Sequence, residues 1–275
     1  MEWAERMHRE ASRWAAEGFD LLFPPRCVLC RSDIPPVCDA VESWASACDS
    51  HDASLDCTLD RTLDRTLCQA CIRAVSTDVS RCLRCGEPGT AGDGCSRCRG
   101  RRGDWDGIAV LAAYGDRLRD AVLRAKHPGG IDVCHAMATL LVRKQRNTFA
   151  AWHIDAAVPV PMHWFRRAVR GTNAADEAAR LVARLLGVRF QVALSRSKAT
   201  RMQNEIPVHE RRGNVSSAFQ ARRSVSGKRI LLVDDVVTTG ATLAACRTVL
   251  VAAGASAVFV TALAKADRSE NATKS

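Results

Sequence analysis

Aromatic residues are scarce in this 275-residue chain: they make up 5%, with a single tyrosine. Few platforms exist on which unpaired bases could stack, so a single-stranded nucleic-acid groove of the stacking type is poorly supplied. No apolar run approaches the ~20 residues that a membrane-spanning helix requires. The opening "MEWAERMHRE" is charged and lacks the long apolar stretch of a secretory leader. These absences together predict a soluble cytoplasmic protein with no membrane span. A mononucleotide phosphate loop is missing too. "SGKRI" (Ser226–Ile230) has Gly–Lys, but no glycine at the required upstream spacing and no Ser or Thr after the lysine.

What is present is ample apolar content, 47%, in a chain longer than the ~100–150 residues of a typical domain, so two units are expected. Net charge is +10, and the excess is local. Between Arg166 and Arg229 there are fifteen Lys or Arg against four Asp or Glu, a surplus that accounts for the whole imbalance. Such a segment favours a polyanionic partner, nucleic acid or a small polyphosphate, over the plainer alternative of a solvated basic surface only once a phosphate site is found.

Cysteine is concentrated rather than abundant. Eleven of 13 lie between Cys27 and Cys98, and eight form CxxC pairs: Cys27/Cys30, Cys68/Cys71, Cys82/Cys85 and Cys95/Cys98. Without a secretory leader, paired CxxC units read as metal sites rather than disulfides. Four thiolates complete a tetrahedral zinc site and leave no open position, so the expected role is structural, with metal binding replacing a hydrophobic core. The pairs 82/85 and 95/98, joined by a Gly-rich linker, make one ribbon; 27/30 and 68/71 make the other. Cys38, Cys48, Cys57 and His51 sit in the longer gap of the first ribbon and could be alternative ligands. Redox exchange is the rival reading, although four pairs exceed what one dithiol exchanger needs. Within that gap "DCTLDRTLDRTL" is a period-four near-repeat, too short for a solenoid and expected to be a local expansion in a loop.

Trp3, Met7, Ala11 and Trp14 recur at helical spacing and predict a docking helix within 1–25, ended by Pro24–Pro25. From Asp104 onward apolar runs alternate with helical patterns. Strands are predicted over 108–114, 155–160, 188–194, 229–233 and 256–263, and helices over 116–126, 132–146, 173–186 and 242–253. Val- and Ile-rich strands alternating with helices predict a parallel α/β sheet. The organisation expected is therefore a helix (1–25), a Cys-rich double zinc ribbon (26–103, with a variable insert at about 38–66), an α/β domain (104–266) and a polar, disordered tail (267–275).

One stretch stands apart: "RILLVDDVVTTGAT", Arg229–Thr242. An apolar strand runs into two carboxylates and then into hydroxyl residues around a glycine. With the strand ending at Val233, Asp234 and Asp235 would lie beyond its carboxyl end, where open α/β sheets bind ligands. Val236, Val237, Thr238, Thr239, Gly240, Ala241 and Thr242 would turn the chain into a helix whose amide groups favour a phosphate. Acidic acceptors for sugar hydroxyls beside a donor cradle for a phosphomonoester suit a ribose 5-phosphate. The plain alternative is solvated aspartates ahead of a Thr-capped helix.

"LLVDDVVTTGAT" resembles the phosphoribosyl pyrophosphate (PRPP) loop of type I phosphoribosyltransferases. With the cysteine pairs ahead of it, the chain resembles the ComF family of double-zinc-ribbon proteins, from about Cys27 to Ala266. "VPVPMHWFRRAVRGTN", Val158–Asn173, is similar to the family's pyrophosphate turn. The resemblance implies pyrophosphate or lid contacts for Pro161, Met162, His163, Arg167 and Arg170, and, from the lid-like stretch, Arg196, Thr200, Gln203 and Arg211. Lys126 matches a lysine the family has after its first helix. The sequence departs from the family at Thr172, usually Phe, at Ala174, usually Gln, and in the longer gap from Cys30 to Cys68.

The fold thus implied is a type I phosphoribosyltransferase-like parallel sheet flanked by helices, preceded by the Cys-rich subdomain. The function implied is binding of PRPP, or a related phosphorylated ribose, with Mg²⁺ and transfer of the phosphoribosyl group to an acceptor, supported at the ribose by Asp234 and Asp235. The cofactors expected are two structural zinc ions and Mg²⁺ with PRPP. The family also implies a link to DNA uptake, so the rival function is a non-catalytic PRPP sensor or adaptor that holds single-stranded DNA or a DNA-processing protein.

Overall fold

The structure is a computed structural model, and it describes residues 7, 23–34, 59, 62–76, 79–89, 95, 98, 104–162, 174–196 and 218–267. The chain divides into two compact units, Met1–Ile72 and Arg73–Ser275. Apart from Met7 and residues 23–25, the expected N-terminal helix lies outside the described residues, as does the tail from residue 268.

In the first unit the period-four repeat behaves differently from the loop expected of it. Leu59, Leu63 and Leu67 are all buried, and residues 62–64 are helical. Leucines four apart fall on one helical face, which is why the repeat can bury them together. The Thr66 hydroxyl donates to the Thr62 carbonyl one turn earlier, at 2.7 Å. Helix α1, Gln69–Val75, follows directly and carries Cys71.

The second unit holds an α/β sheet. Among the described residues its strands are β1 (Gly107–Ala113), β2 (Ala156–Pro159), β3 (Arg189–Phe190), β4 (Leu194–Arg196), β5 (Phe219–Ala221), β6 (Arg229–Val237) and β7 (Ala257–Lys265). Five of them form a sheet in the order β1-β7-β6-β2-β3, every neighbouring pair parallel. β4 and β5 form a separate antiparallel pair. The helices are α2 (Asp116–Ala125), α3 (Ile131–Ala151), α4 (Ala174–Leu185) and α5 (Ala241–Ala252). Strands β6 and β7 are central, and β7 is buried at eight consecutive positions, Val258 to Lys265, as a strand covered on both faces must be.

Most predicted elements lie within a residue or two of those observed, with three differences. The run predicted as one strand over 188–194 is two. The Gln191 N–H still reaches the Ala157 carbonyl, but a tight turn closed by Ala193 N–H to Gln191 O at 3.0 Å then sends the chain out of the sheet. Helix α3 continues to Ala151 rather than ending at Arg146. Strand β6 runs through Asp234 and Asp235 to Val237 instead of stopping at Val233.

The α2–α3 connection shows why the sequence needs two adjacent glycines. Gly129 has φ of 81°, a conformation that disfavours other residues, and a Cβ on Gly130 would lie 2.0 Å from the Arg124 carbonyl oxygen. This tight reversal follows Lys126, the C-cap of α2. At the opposite, N-terminal edge of the sheet, Trp152 stacks on Phe259 with centroids 4.6 Å apart.

Candidate functional site

The site follows from unequal strand lengths. β2 pairs with β6 as far as Pro159 opposite Val233, whereas β6 continues against β7 as far as Val237 opposite Lys265. From β2 the next strand in the sheet lies on one side, and from β6 it lies on the other. The crevice between β2 and β6 at their carboxyl ends is therefore the topological switch point, where open parallel sheets receive ligands. Asp234 and Asp235 stand on the part of β6 that outruns β2.

Adjacent residues of a strand leave opposite faces of the sheet. The surroundings of the two aspartates agree. Asp235 meets Lys126 at the end of α2, Nζ to Oδ2 3.1 Å, both groups mostly buried. The Asp235 charge also helps raise the thiol of Cys134 in α3 to about 12, behind burial and the Glu177 charge. Asp234 instead faces α5, where its charge, after burial, pushes the Cys246 thiol up. The two carboxylates therefore have different surroundings. Asp234 is raised to about 7, first by burial and then by the neighbouring Asp235 charge, against the opposing pull of the Asp235 N–H and Lys126. That N–H donates to Asp234 Oδ1 at 2.8 Å.

Val236 and Val237 continue the strand, opposite Ala264 and Lys265. Val237 is buried in the core, and its carbonyl accepts from the Ala266 N–H at 2.8 Å. Thr238 and Thr239 are the exposed residues of the turn, and Gly240 bends it at φ of 78°. Helix α5 begins at Ala241, whose N–H contacts the Thr239 hydroxyl at 3.4 Å; its N-cap, Gly240, supplies no side-chain cap. The orphan amides of a helix start therefore lie at the same end of β6 as the aspartates.

Of the other residues singled out by sequence, Pro161 and Met162 lie just past β2, beyond Val160, and are half-buried. Arg196 ends β4, its guanidinium 5.4 Å from the centroid of Phe219. His163, Arg167, Arg170, Thr200, Gln203 and Arg211 lie outside the described residues, as do Cys38, Cys48, Cys57 and His51.

The cysteines assemble as their spacing predicted. Cys27, Cys30, Cys68 and Cys71 form one group and Cys82, Cys85, Cys95 and Cys98 another, the sulfurs of each all within 4.8 Å of one another. Thiolates ~2.3 Å from a tetrahedral Zn²⁺ stand about 3.8 Å apart. The Sγ separations of 3.5 to 3.8 Å for Cys85–Cys95, Cys82–Cys98 and Cys95–Cys98 match, as does 3.7 Å for Cys30–Cys68. Despite burial, amide donors from Arg84, Cys85 and Cys95 hold Cys82 down to about 6, while burial and sulfur neighbours push Cys85 up to about 12. Either group could hold one metal ion.

The first group is supported by the turn at Thr66: the Val28 N–H donates to the Thr66 carbonyl at 3.0 Å, and the Cys27 N–H to that of Ser32 at 2.9 Å. The second is stitched to the sheet by residues that sequence reasoning passed over. Lys265, the last residue of β7, reaches Glu87 at 2.5 Å with both side chains almost fully buried. Arg81 makes a two-pronged contact with Asp267 at 2.8 and 3.2 Å. The Leu83 carbonyl accepts from the Ile108 N–H, and the Arg84 carbonyl from Trp105 Nε1, both at 2.7 Å. Only an isolated tryptophan just ahead of β1, in a chain poor in aromatics, could have hinted at this.

The phosphoribosyl transferase domain family matches residues 173–274. The DNA utilization protein YhgH of Escherichia coli K12 is 32% identical over 203 residues, covering 72% of this chain and 89% of that one. Competence protein F of Haemophilus influenzae is 30% identical over 179 residues, 62% of this chain and 78% of its own. Among solved structures, the glutamine PRPP amidotransferase of B. subtilis aligns at 24% identity and TM-score 0.33 over 48% of this chain, and the alignment spans 26% of that enzyme. A sheet of phosphoribosyltransferase type, two four-cysteine groups and relatives of this likeness lead to one conclusion: the chain belongs to the ComF family, with YhgH and Competence protein F among its relatives.

Proposed function

We propose that this chain binds Mg²⁺-loaded PRPP and transfers its 5-phosphoribosyl group to an acceptor with release of pyrophosphate, in a DNA-uptake setting. The observation that carries the reading is the run of β6 past β2, which leaves Asp234 and Asp235 at the switch point, followed at once by the Thr238–Thr242 turn into α5. The turn holds the 5′-phosphate, and the two aspartates accept from the ribose hydroxyls from opposite sides. Bound in this way by groups remote from the reacting carbon, the sugar is oriented for displacement.

In the transfer, the bond from C1 to the pyrophosphate oxygen breaks and its electron pair leaves with the pyrophosphate. A lone pair of the acceptor forms the new bond to C1, and the acceptor proton passes to water. Positive charge growing on the ribose is stabilised by the Asp235 carboxylate. Lys126, held by Asp235 before substrate arrives, turns to the departing pyrophosphate. The Mg²⁺ that accompanies PRPP supplies charge neutralisation at the pyrophosphate. Zinc in the two cysteine groups is structural, because four sulfurs close each site.

The test is release of pyrophosphate from PRPP and Mg²⁺ across a panel of bases, amines and nucleic acids, beside calorimetric titration with PRPP. Saturable binding and turnover are expected, with Asp235→Asn losing ~100-fold or more of the turnover. Absence of PRPP binding at millimolar ligand, in folded and metal-replete protein, would reject the proposal. A second reading has its own support: the relatives are named for DNA utilization and competence, not for transfer. Tight PRPP binding without turnover, together with salt-sensitive affinity for single-stranded DNA, is the outcome expected of an adaptor.

A further inference from the structure

Gly240 is the hinge of the phosphate-binding turn, and what lies against it is the ring of Trp105. A Cβ at residue 240 would come within 2.8 Å of Trp105 Cη2 and 3.1 Å of Cζ3. With φ of 78° as well, the position admits glycine alone on two independent grounds. The opposite edge of the same ring is committed: Nε1–H donates to the Arg84 carbonyl at 2.7 Å. Arg84 lies between Cys82 and Cys85, inside the knuckle of the second four-cysteine group. The neighbouring carbonyl, that of Leu83, accepts from the first residues of β1. Trp105 is 8% exposed and belongs to the core cluster that includes Val237 and Leu243, which bracket the turn. A rigid plane thus spans from the metal knuckle to the hinge glycine, fixed by a directional bond at one end and by van der Waals contact at the other.

We infer that Trp105 is a positioning residue for the phosphate turn, transmitting the geometry of the metal-held Cys82–Cys85 knuckle to Gly240. The consequence is that the second cysteine group governs how well the amides of residues 238–242 are arranged for a phosphomonoester. An indole is needed because the ring must fill the space under Gly240 and donate from its far edge; phenylalanine can do only the first.

The turn's order is measurable without ligand, by hydrogen exchange of amides 238–242 in the full-length, zinc-loaded protein, with Leu231–Val233 of β6 as internal reference. Trp105→Phe should raise exchange in the turn about fivefold, the loss of one hydrogen bond, and leave the reference unchanged. Stripping zinc from the wild type with a chelator should raise turn exchange in the same direction. Unchanged turn exchange in Trp105→Phe overturns the inference, and so does an equal rise over Leu231–Val233, which would mark general destabilisation. A binding arm rests on the function proposed above. Trp105→Phe should weaken ribose 5-phosphate about fivefold by calorimetry and leave pyrophosphate affinity unaltered; equal loss of both, or of neither, counts against a positioning role. Should the wild type bind neither ligand, the proposed function fails while the exchange arm still decides the coupling.

Discussion

The two four-cysteine groups have the same ligands and closely similar sulfur spacings, yet they are built into the chain in different ways. The first draws its support within Met1–Ile72: the buried leucines 59, 63 and 67, an exposed Arg26–Asp33 pair at 3.0 Å and short backbone bonds around Cys27. The second is fastened to the sheet by the buried Glu87–Lys265 pair, by Arg81–Asp267 and by Trp105. Identical chemistry serves separate ends. One group organises a small unit of its own, and the other is a structural part of the domain that carries Asp234, Asp235 and the turn.

The strongest way to break this comparison is to remove one ligand from each group. Structural zinc contributes on the order of 10 kcal/mol in small metallopeptides, comparable with the whole stability of a domain. Cys82→Ser should lower bound zinc from two ions to one and lower the melting of the Arg73–Ser275 unit by more than ~10 °C. Cys27→Ser should cost the same one zinc and leave that transition unmoved. Metal analysis and calorimetry on both variants decide the matter; equal thermal effects would erase the distinction.

A smaller effect is expected from the ion pairs. Removing one partner of a buried pair strands the other, at a cost of about 3–5 kcal/mol, so Glu87→Gln should destabilise by that amount in chemical denaturation. Asp33→Asn, in a pair exposed to 71% and 58%, should change stability by less than about 1 kcal/mol.

A last effect sharpens the contrast by pH and concerns the second unit alone. Asp234 has a folded pKa of about 7, raised from 3.8. Between those values the folded chain holds a proton that the unfolded chain releases, so this residue's contribution to stability is full below pH 3.8 and is lost as pH rises through 7. Asp234→Asn should therefore gain stability relative to wild type across that window. A gain at pH 8 that shrinks at pH 4 is expected in thermal melts. A gain independent of pH would mean that the carboxylate is not held against its charge.

Much of this was legible in the sequence, for local reasons. CxxC spacing brings two sulfurs to one metal whatever surrounds them, and both groups were readable from the pairs alone. Alternation of Val-rich runs and helical patterns was enough for the parallel sheet, because periodicity reports burial directly. Two local signals were misread. The leucines at 59, 63 and 67 already had helical spacing, but a repeat too short for a solenoid was expected in a loop. The strand expected to end at Val233 continued because charged residues at the end of a central strand can leave its faces where the adjacent strand has stopped.

The sequence by itself determined the two four-cysteine groups, the order of strands and helices, and the carboxylate–threonine segment, since each is set by spacing along the chain. Only tertiary structure decided that Asp234 and Asp235 have unequal environments, that Lys126 meets one of them, and that Trp105 lies between the Cys82–Cys85 knuckle and Gly240. Those facts depend on contacts between residues up to 135 positions apart, as Trp105 and Gly240 are. Which distant groups meet is settled by how the sheet and its helices pack, and no local pattern of residues encodes that.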